Sequence, residues 1–201
     1  MNSLINFLNK VTLKILYSTP VGVYFTSKVI FPLFTNKKTS FHKDNISWFI
    51  KEDDMLLRTA IFRRFRFYHN GLRKRLTDLA EAYGVNLLDF NAGDIVIDCG
   101  ANIGELGYYL KTKNFHGRYI AIEPDDKVNE ICKLNNSDFP DQPFNLVLSD
   151  RDTEIDFFIS SELADSSAIT PSKYTAKVKK TAKKLDTLVA ELDLNKVKLF
   201  K

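Results

Sequence analysis

The chain has 201 residues, of which 44% are hydrophobic and 12% aromatic, and its formal net charge is +4. This length accommodates one full domain with an extension, and the apolar content excludes global disorder. The charge is too small to indicate a partner by itself. Cys99 and Cys132 form no Cys-x-x-Cys pair, so we expect reduced thiols and neither a disulfide nor a zinc site.

Residues 1–35 form an apolar extension that we expect to be helical up to Tyr17. Only 13 residues separate Lys14 from Lys28, whereas a spanning helix needs about 20, and no signal-peptide pattern is present. We therefore predict a cytoplasmic protein. The extension either packs on the domain or lies on a membrane surface through one apolar helical face, and the sequence leaves this peripheral contact open.

Residues 35–44 are a polar linker, and a basic and aromatic run, Phe-Arg-Arg-Phe-Arg-Phe-Tyr, occurs further along the chain at 62–68. Such a run can stack on single-stranded nucleic acid or hold a phosphorylated acceptor. We favour an amphipathic segment with Phe65 and Phe67 inward and Arg64 and Arg66 solvated, because no RNA-binding module surrounds it. We therefore expect no nucleic-acid partner.

The domain boundary is predicted between residues 70 and 71, with a helical extension over 1–70 and the main domain over 71–201. From Leu72 onward, apolar residues recur at helical spacing until Gly84, which is suited to end a helix.

A buried strand and a glycine-bearing turn over 93–104 are the centre of the main domain. Three β-branched residues lead to Asp98, and Gly100 and Gly104 flank a short turn before the next helix. This arrangement brings backbone N–H groups close to a ligand. Because Asn102 stands where a dinucleotide fingerprint has its second glycine, a nicotinamide cofactor is disfavoured.

Carboxylates follow the first two strands of this unit. Asp98 closes the first strand, and the second strand, 118–123, ends in Glu123, which can accept hydrogen bonds from ribose hydroxyls. The carboxylate of Asp98 beside the glycine turn attracts a cationic ligand such as S-adenosylmethionine and repels phosphates. Phe144 to Leu148 is the predicted third strand, and we expect Asp150 to end it at the same sheet edge. Asp150 also fits a simple turn residue.

These motifs resemble the FkbM-type family of S-adenosylmethionine-dependent methyltransferases. The resemblance rests on Asp-x-Gly-Ala-Asn-x-Gly at 98–104, Ile-Glu-Pro at 122–124, Leu-Ser-Asp at 148–150 and Leu-Asp-Thr-Leu at 185–188, and it covers 71–201. It implies an α/β class I methyltransferase fold, which is a Rossmann-like, doubly wound, mostly parallel sheet. It also implies O-methylation of a small-molecule or glycan acceptor.

The implied cofactor residues are Asp98, Gly100, Asn102, Gly104 and Glu123, with Asp150 as the candidate contact to adenine. No metal is expected. No catalytic base can be assigned from the histidines. His42 and His69 precede the part of the chain predicted to bind the cofactor, and His116 is expected at the opposite edge of the sheet.

The chain departs from the family at its last strand, 197–201, after which the family continues into an Asp-x-Glu-Gly-x-Glu segment. From Asp94 onward there are 108 residues, whereas a complete doubly wound sheet usually occupies well over ~150. We therefore expect a domain that is incomplete at its C-terminus, as a truncated protein, a split gene product or a fragment. The alternative to an enzyme is a non-catalytic remnant that needs a partner chain.

Overall fold

The computed structural model describes residues 19–25, 39–68, 70–160, 166–171 and 174–201. The chain divides into two compact units, Met1–Arg75 and Leu76–Lys201. The predicted helix up to Tyr17 lies outside the described residues. Within the described ranges, no helix is long and apolar enough to cross a membrane.

The first unit contains a three-stranded antiparallel sheet with the order β1-β2-β3. Its strands are β1 (Ser40–Lys43), β2 (Trp48–Glu52) and β3 (Met55–Thr59). Phe41, Ile50 and Leu57 are opposite one another in the register and all are buried. The expectation of a helical extension is therefore wrong for these residues, because burial alternates with the period of two that is typical of a half-buried sheet.

Around this sheet, helix α1 (Pro20–Phe25) and a 3-10 helix (Phe62–Tyr68) contact each other. Phe65 is fully buried and stacks on Phe41 with ring centroids 4.3 Å apart. The prediction that Arg64 is solvated and Phe67 inward is wrong, since Arg64 is buried and Phe67 is half-buried. In a 3-10 helix the inward positions recur every three residues, as at Phe65 and Tyr68, and do not alternate.

Helix α2 (Leu72–Ala82) forms where the sequence predicts it and is followed by Gly84 with φ +65°. Its first backbone amides are satisfied by the fully buried Glu52 of β2. The Oε2 atom of Glu52 accepts hydrogen bonds from the N–H groups of Leu72 and, at 3.2 Å, Arg73. A short 3-10 helix (Val85–Leu87) then leads to the second unit's sheet.

The second unit is a mixed α/β structure built on a parallel sheet with the order β5-β4-β9. The strands are β4 (Ile95–Cys99), β5 (Arg118–Ile122) and β9 (Val197–Phe200), and helix α3 (Glu105–Thr112) connects β4 to β5. Helix α4 (Asp126–Asn135) follows β5. The core includes residues of the strands and of the segments that cover them, namely Ile97, Ile120, Ile122, Leu146, Leu188 and Leu194.

The predicted third strand is split between two sheets. Phe144 forms a parallel bridge with Ile122, whereas β6 (Val147–Leu148) pairs with β8 (Ala176–Lys183). Strand β8 also pairs antiparallel with β7 (Thr153–Ile159). In the lysine-rich strand β8, Lys177 and Lys179 are exposed, whereas Lys180 is buried. Helix α5 (Leu185–Glu191) precedes β9, which forms where the last strand is predicted.

Candidate functional site

Asp98 and Glu123 lie at the same edge of the parallel sheet. Asp98 is in β4 opposite Ala121, and Glu123 directly follows Ile122, the last residue of β5. Because β4 and β5 are parallel, their carboxyl ends coincide, which is where open α/β sheets bind ligands. Asp98 is completely buried, and Glu123 is 6% exposed. Burial is the main cause that raises the pKa of Glu123, and the charges of Asp125 and Asp98 add to it.

The turn between β4 and α3 has three residues with left-handed backbone conformation. Gly100, Asn102 and Gly104 have φ values of +68°, +53° and +80°. The turn is fixed to the neighbouring strand, because the N–H groups of Gly100 and Ala101 donate to the Ile122 carbonyl at 2.9 and 3.0 Å. Sequence reasoning predicted a compact turn here, and the structure confirms it.

Glu123 holds the turn and the start of α4 through its two carboxylate oxygens. Oε2 accepts a hydrogen bond from the Asn102 N–H and Oε1 from the Asp125 N–H, both at 2.9 Å. Burial raises the pKa of Glu123 to about 7, and the two amide hydrogen bonds only partly oppose this effect. Each oxygen has a second lone pair for a further donor.

Asp98 is held by two residues that sequence reasoning missed. Its Oδ2 accepts a hydrogen bond from the Tyr119 hydroxyl at 2.6 Å, and the Lys201 ammonium is 2.7 Å from Oδ1. This second contact is an ion pair without hydrogen-bond alignment, so Oδ1 has no hydrogen-bond partner among the described residues. Burial raises the pKa of Asp98, and the nearby Lys201 charge opposes the rise.

The ammonium of Lys201 is surrounded by three groups that together form a cation site. Besides Asp98, it contacts the carbonyl of Gly100 at 3.2 Å and lies 5.1 Å from the ring centroid of Tyr83. The carboxylate raises the pKa of Lys201 despite the partial burial that would lower it. A carboxylate, a carbonyl and an aromatic face are the groups that recognise an alkylammonium ion.

The two glycines assigned to the cofactor have different surroundings. A Cβ atom on Gly100 would meet nothing within 4 Å, so the space beside it is open. A Cβ on Gly104 would lie 1.8 Å from Nδ2 of Asn136. Gly104 is therefore required for the close packing of α3 against α4, and its contact with a cofactor stays a prediction.

Asp150 does not lie level with Glu123. The bridge between Ile122 and Phe144 places Asn145 opposite Glu123, and Asp150 follows five residues later. Its exposed carboxylate contacts Ser149 and Arg151. We expected it at the sheet edge because the third strand was assumed to be continuous. Its contact with adenine stays a prediction.

Asn145, which sequence reasoning did not select, supports the Glu123 segment instead. Its Nδ2 donates to the carbonyls of Glu123 and Pro124, both at 3.2 Å. Its Oδ1 accepts from the buried Lys180 at 2.8 Å, and Lys180 also contacts Asp126. Asn145 is identified by the register of the parallel bridge between Ile122 and Phe144, which the sequence alone does not give.

The described histidines lie away from the two acids. His116 precedes β5, at the end of that strand opposite Glu123, and lines a cleft of about 340 Å³. His42 belongs to the first unit, where it is 2.8 Å from the Ser40 hydroxyl and stacks on Phe49. His69 lies outside the described residues. Neither of the two histidines in the described ranges is therefore placed as a general base for this site.

Comparison of the chain with known protein families, with characterised proteins and with solved structures finds no significant match. The fold alone defines the class of protein, which is a mixed α/β protein with a parallel sheet in its second unit. Its candidate site is an acidic strand edge that accommodates a cation.

Proposed function

We propose that this chain is an S-adenosylmethionine-dependent methyltransferase of the FkbM type. One observation carries the proposal: two buried carboxylates, Asp98 and Glu123, flank a glycine turn at neighbouring strand ends, and one of them already holds an ammonium ion. S-adenosylmethionine has an ammonium and a sulfonium, so such a site attracts it.

The topology is compatible with a Rossmann-like class I methyltransferase fold. In space, the parallel segments follow one another as Phe144, β5, β4 and β9. If β4 is counted as strand 1, β5 as strand 2, the Phe144 segment as strand 3 and β9 as strand 4, this is the order 3-2-1-4 of doubly wound sheets. Helix α3 is the crossover between the first two of these strands. We propose that this sheet is one part of that fold.

The residues present fit the cofactor at three places. Asp98, the Gly100 carbonyl and Tyr83 would hold its ammonium group, in the position that Lys201 takes here. The open space beside Gly100 allows a ligand to approach the backbone. Glu123 would accept hydrogen bonds from ribose hydroxyls through its remaining lone pairs.

The bound cofactor would supply an electrophilic methyl group whose leaving group is neutral after transfer. The protein's contribution is then mainly to align donor and acceptor, and positioning alone can supply much of the rate. The turn held by Glu123 is suited to this role because hydrogen bonds to Ile122 and Glu123 fix it to the end of β5. We propose a small-molecule or glycan hydroxyl as acceptor and a cytoplasmic location, with which the free thiols of Cys99 and Cys132 agree.

A second candidate is a non-catalytic remnant or split-protein half that requires a partner chain. Strand β9 is at the edge of the parallel sheet, and its Phe200 is 50% exposed. An exposed apolar edge strand favours pairing with another chain. Cofactor binding by the isolated, folded chain would favour the enzyme over this alternative.

Isothermal calorimetry with S-adenosylmethionine at pH 8 tests the proposal. We expect Glu123→Gln to weaken binding by about tenfold or more, because the charge and one carboxylate oxygen are lost. Glu130→Gln is the matched control, since Glu130 is an exposed acid on α4 that pairs with Lys133. No heat with a folded sample, equal affinity in Glu123→Gln, or preferential binding of a nicotinamide dinucleotide would overturn the proposal.

A further inference from the structure

The two units have opposite net charge. Residues 1–75 contain 14 Lys and Arg and 4 Asp and Glu, giving +10, whereas residues 76–201 contain 15 and 21, giving −6. No acid occurs between Asp54 and Asp78. The overall charge of +4 therefore conceals a strongly basic first unit, which attracts anionic surfaces.

Six cations of this unit lie close together in sequence on the 3-10 helix and the start of α2. We call them the basic cluster: Arg63, Arg64, Arg66, Arg73, Lys74 and Arg75. Three guanidinium groups surround the ring of Phe67, at 5.6 Å for Arg64, 4.9 Å for Arg66 and 5.4 Å for Arg75. Arg63, Arg73 and Lys74 are exposed to solvent. Cations this close together repel one another, and anions bound nearby offset that repulsion.

An exposed apolar surface accompanies these cations. Val21 and Phe25 are four residues apart on helix α1 and therefore share one face, and they are 78% and 48% exposed. Helix α1 contacts the 3-10 helix that carries part of the basic cluster. Exposed apolar side chains next to Lys and Arg are the features by which proteins bind the membrane interface.

We propose that the first unit docks on an anionic membrane surface through the basic cluster and the Val21–Phe25 face of helix α1. The exposed charges of Arg63, Arg73 and Lys74 pair with lipid phosphates, and the apolar face enters the headgroup region. Nucleic acid fits this surface less well, because the ring of Phe67 is already in contact with three guanidinium groups and base stacking requires a free aromatic face.

Sedimentation of the full chain with lipid vesicles tests this proposal. We expect binding to phosphatidylcholine vesicles that contain about one-third phosphatidylglycerol, no binding to pure phosphatidylcholine, and a decrease as salt is added. The triple variant Arg63→Gln, Arg73→Gln and Lys74→Gln removes three exposed cations. It should bind about a hundredfold more weakly at low salt, because each cation near the surface contributes about fivefold.

The matched control removes the same charge from the second unit. It is the triple variant Lys127→Gln, Lys196→Gln and Lys198→Gln, and all three lysines are exposed. It should keep the wild-type affinity for vesicles. A second variant, Val21→Ser with Phe25→Ser, should weaken binding by about tenfold or more without changing the charge.

Four results would overturn the proposal. They are no binding to the anionic vesicles, equal losses in the two triple variants, binding of inorganic phosphate to the basic cluster without vesicle binding, or tighter binding of a single-stranded oligonucleotide than of vesicles. Vesicle binding is independent of S-adenosylmethionine, so its failure leaves the proposed function unaffected.

Discussion

Replacing Glu123 by Gln should change how the stability of the protein depends on pH. Burial raises the pKa of Glu123 from 4.5 to about 7, so the folded protein binds this proton more tightly than the unfolded chain does. Between these two pH values the unfolded chain releases the proton while the folded protein keeps it. The contribution of Glu123 to stability is therefore fully present below about pH 4.5 and is lost as pH rises through about 7.

The size of the effect follows from the shift of the pKa. A difference of roughly 2.5 pH units, at about 1.4 kcal/mol for each, gives a loss of about 3 kcal/mol from this residue. Glu123 is 6% exposed, so solvent screening reduces this value little. A glutamine resembles the protonated acid in shape and stays neutral, so the Glu123→Gln variant should not show the loss.

Urea denaturation between pH 4.5 and pH 8.5 measures the effect as the difference between the wild type and the variant. Titrating groups that do not interact with Glu123 cancel in this difference. We expect the variant to be less stable by about 1 kcal/mol at pH 4.5, because its amide NH2 group cannot accept one of the two backbone hydrogen bonds, and the difference to shift in its favour by up to about 3 kcal/mol at pH 8. Glu130→Gln, on the exposed surface of α4, should give no such trend. A pH-independent difference for Glu123→Gln would refute the argument that burial governs this carboxyl.

Four further substitutions test the site by urea or thermal denaturation. Gly104→Ala should destabilise the protein by about 3 kcal/mol or more, because the added Cβ atom has no room and the backbone φ is positive. Gly100→Ala, where φ is also positive but the space is open, should cost only about 1 kcal/mol. Equal losses in the two variants would contradict the packing role of Gly104. Lys201→Met should cost about 3 kcal/mol, because it leaves Asp98 buried without its cation, and a loss below about 1 kcal/mol would show that the ion pair is unimportant. Tyr119→Phe should cost about 1 to 3 kcal/mol by removing a donor to Asp98, and unchanged stability would argue against that hydrogen bond.

The strand, turn and helix around residues 95–112 could be predicted because local signals agree there. The β-branched run favours a strand, and the glycines permit the left-handed turn that the structure shows at Gly100 and Gly104. The position of Glu123 next to this turn followed from the parallel arrangement of β4 and β5.

Features that depend on register and on distant residues could not be predicted in this way. Asp150 was expected level with Glu123, but one bridge at Phe144 sets the register and Asn145 takes that level. Lys201 is 103 residues from Asp98 in sequence, and no local pattern connects them. The sheet at 40–59 was missed because its strands have only four or five residues, too few for a clear period.

The two buried acids have different partners, and this difference decides how each responds to a ligand. Glu123 is held by neutral amides alone, so no cation offsets its burial and its pKa lies near 7. Asp98 already has a cation in Lys201, so a cationic ligand at this carboxylate must take the place of that ammonium. At Glu123, by contrast, ribose hydroxyls would add donors where two backbone amides donate now, and such hydrogen bonds favour the ionised carboxyl. The proposed cofactor would therefore exchange one ion pair at Asp98 and add hydrogen bonds at Glu123, and the second step supplies the net gain.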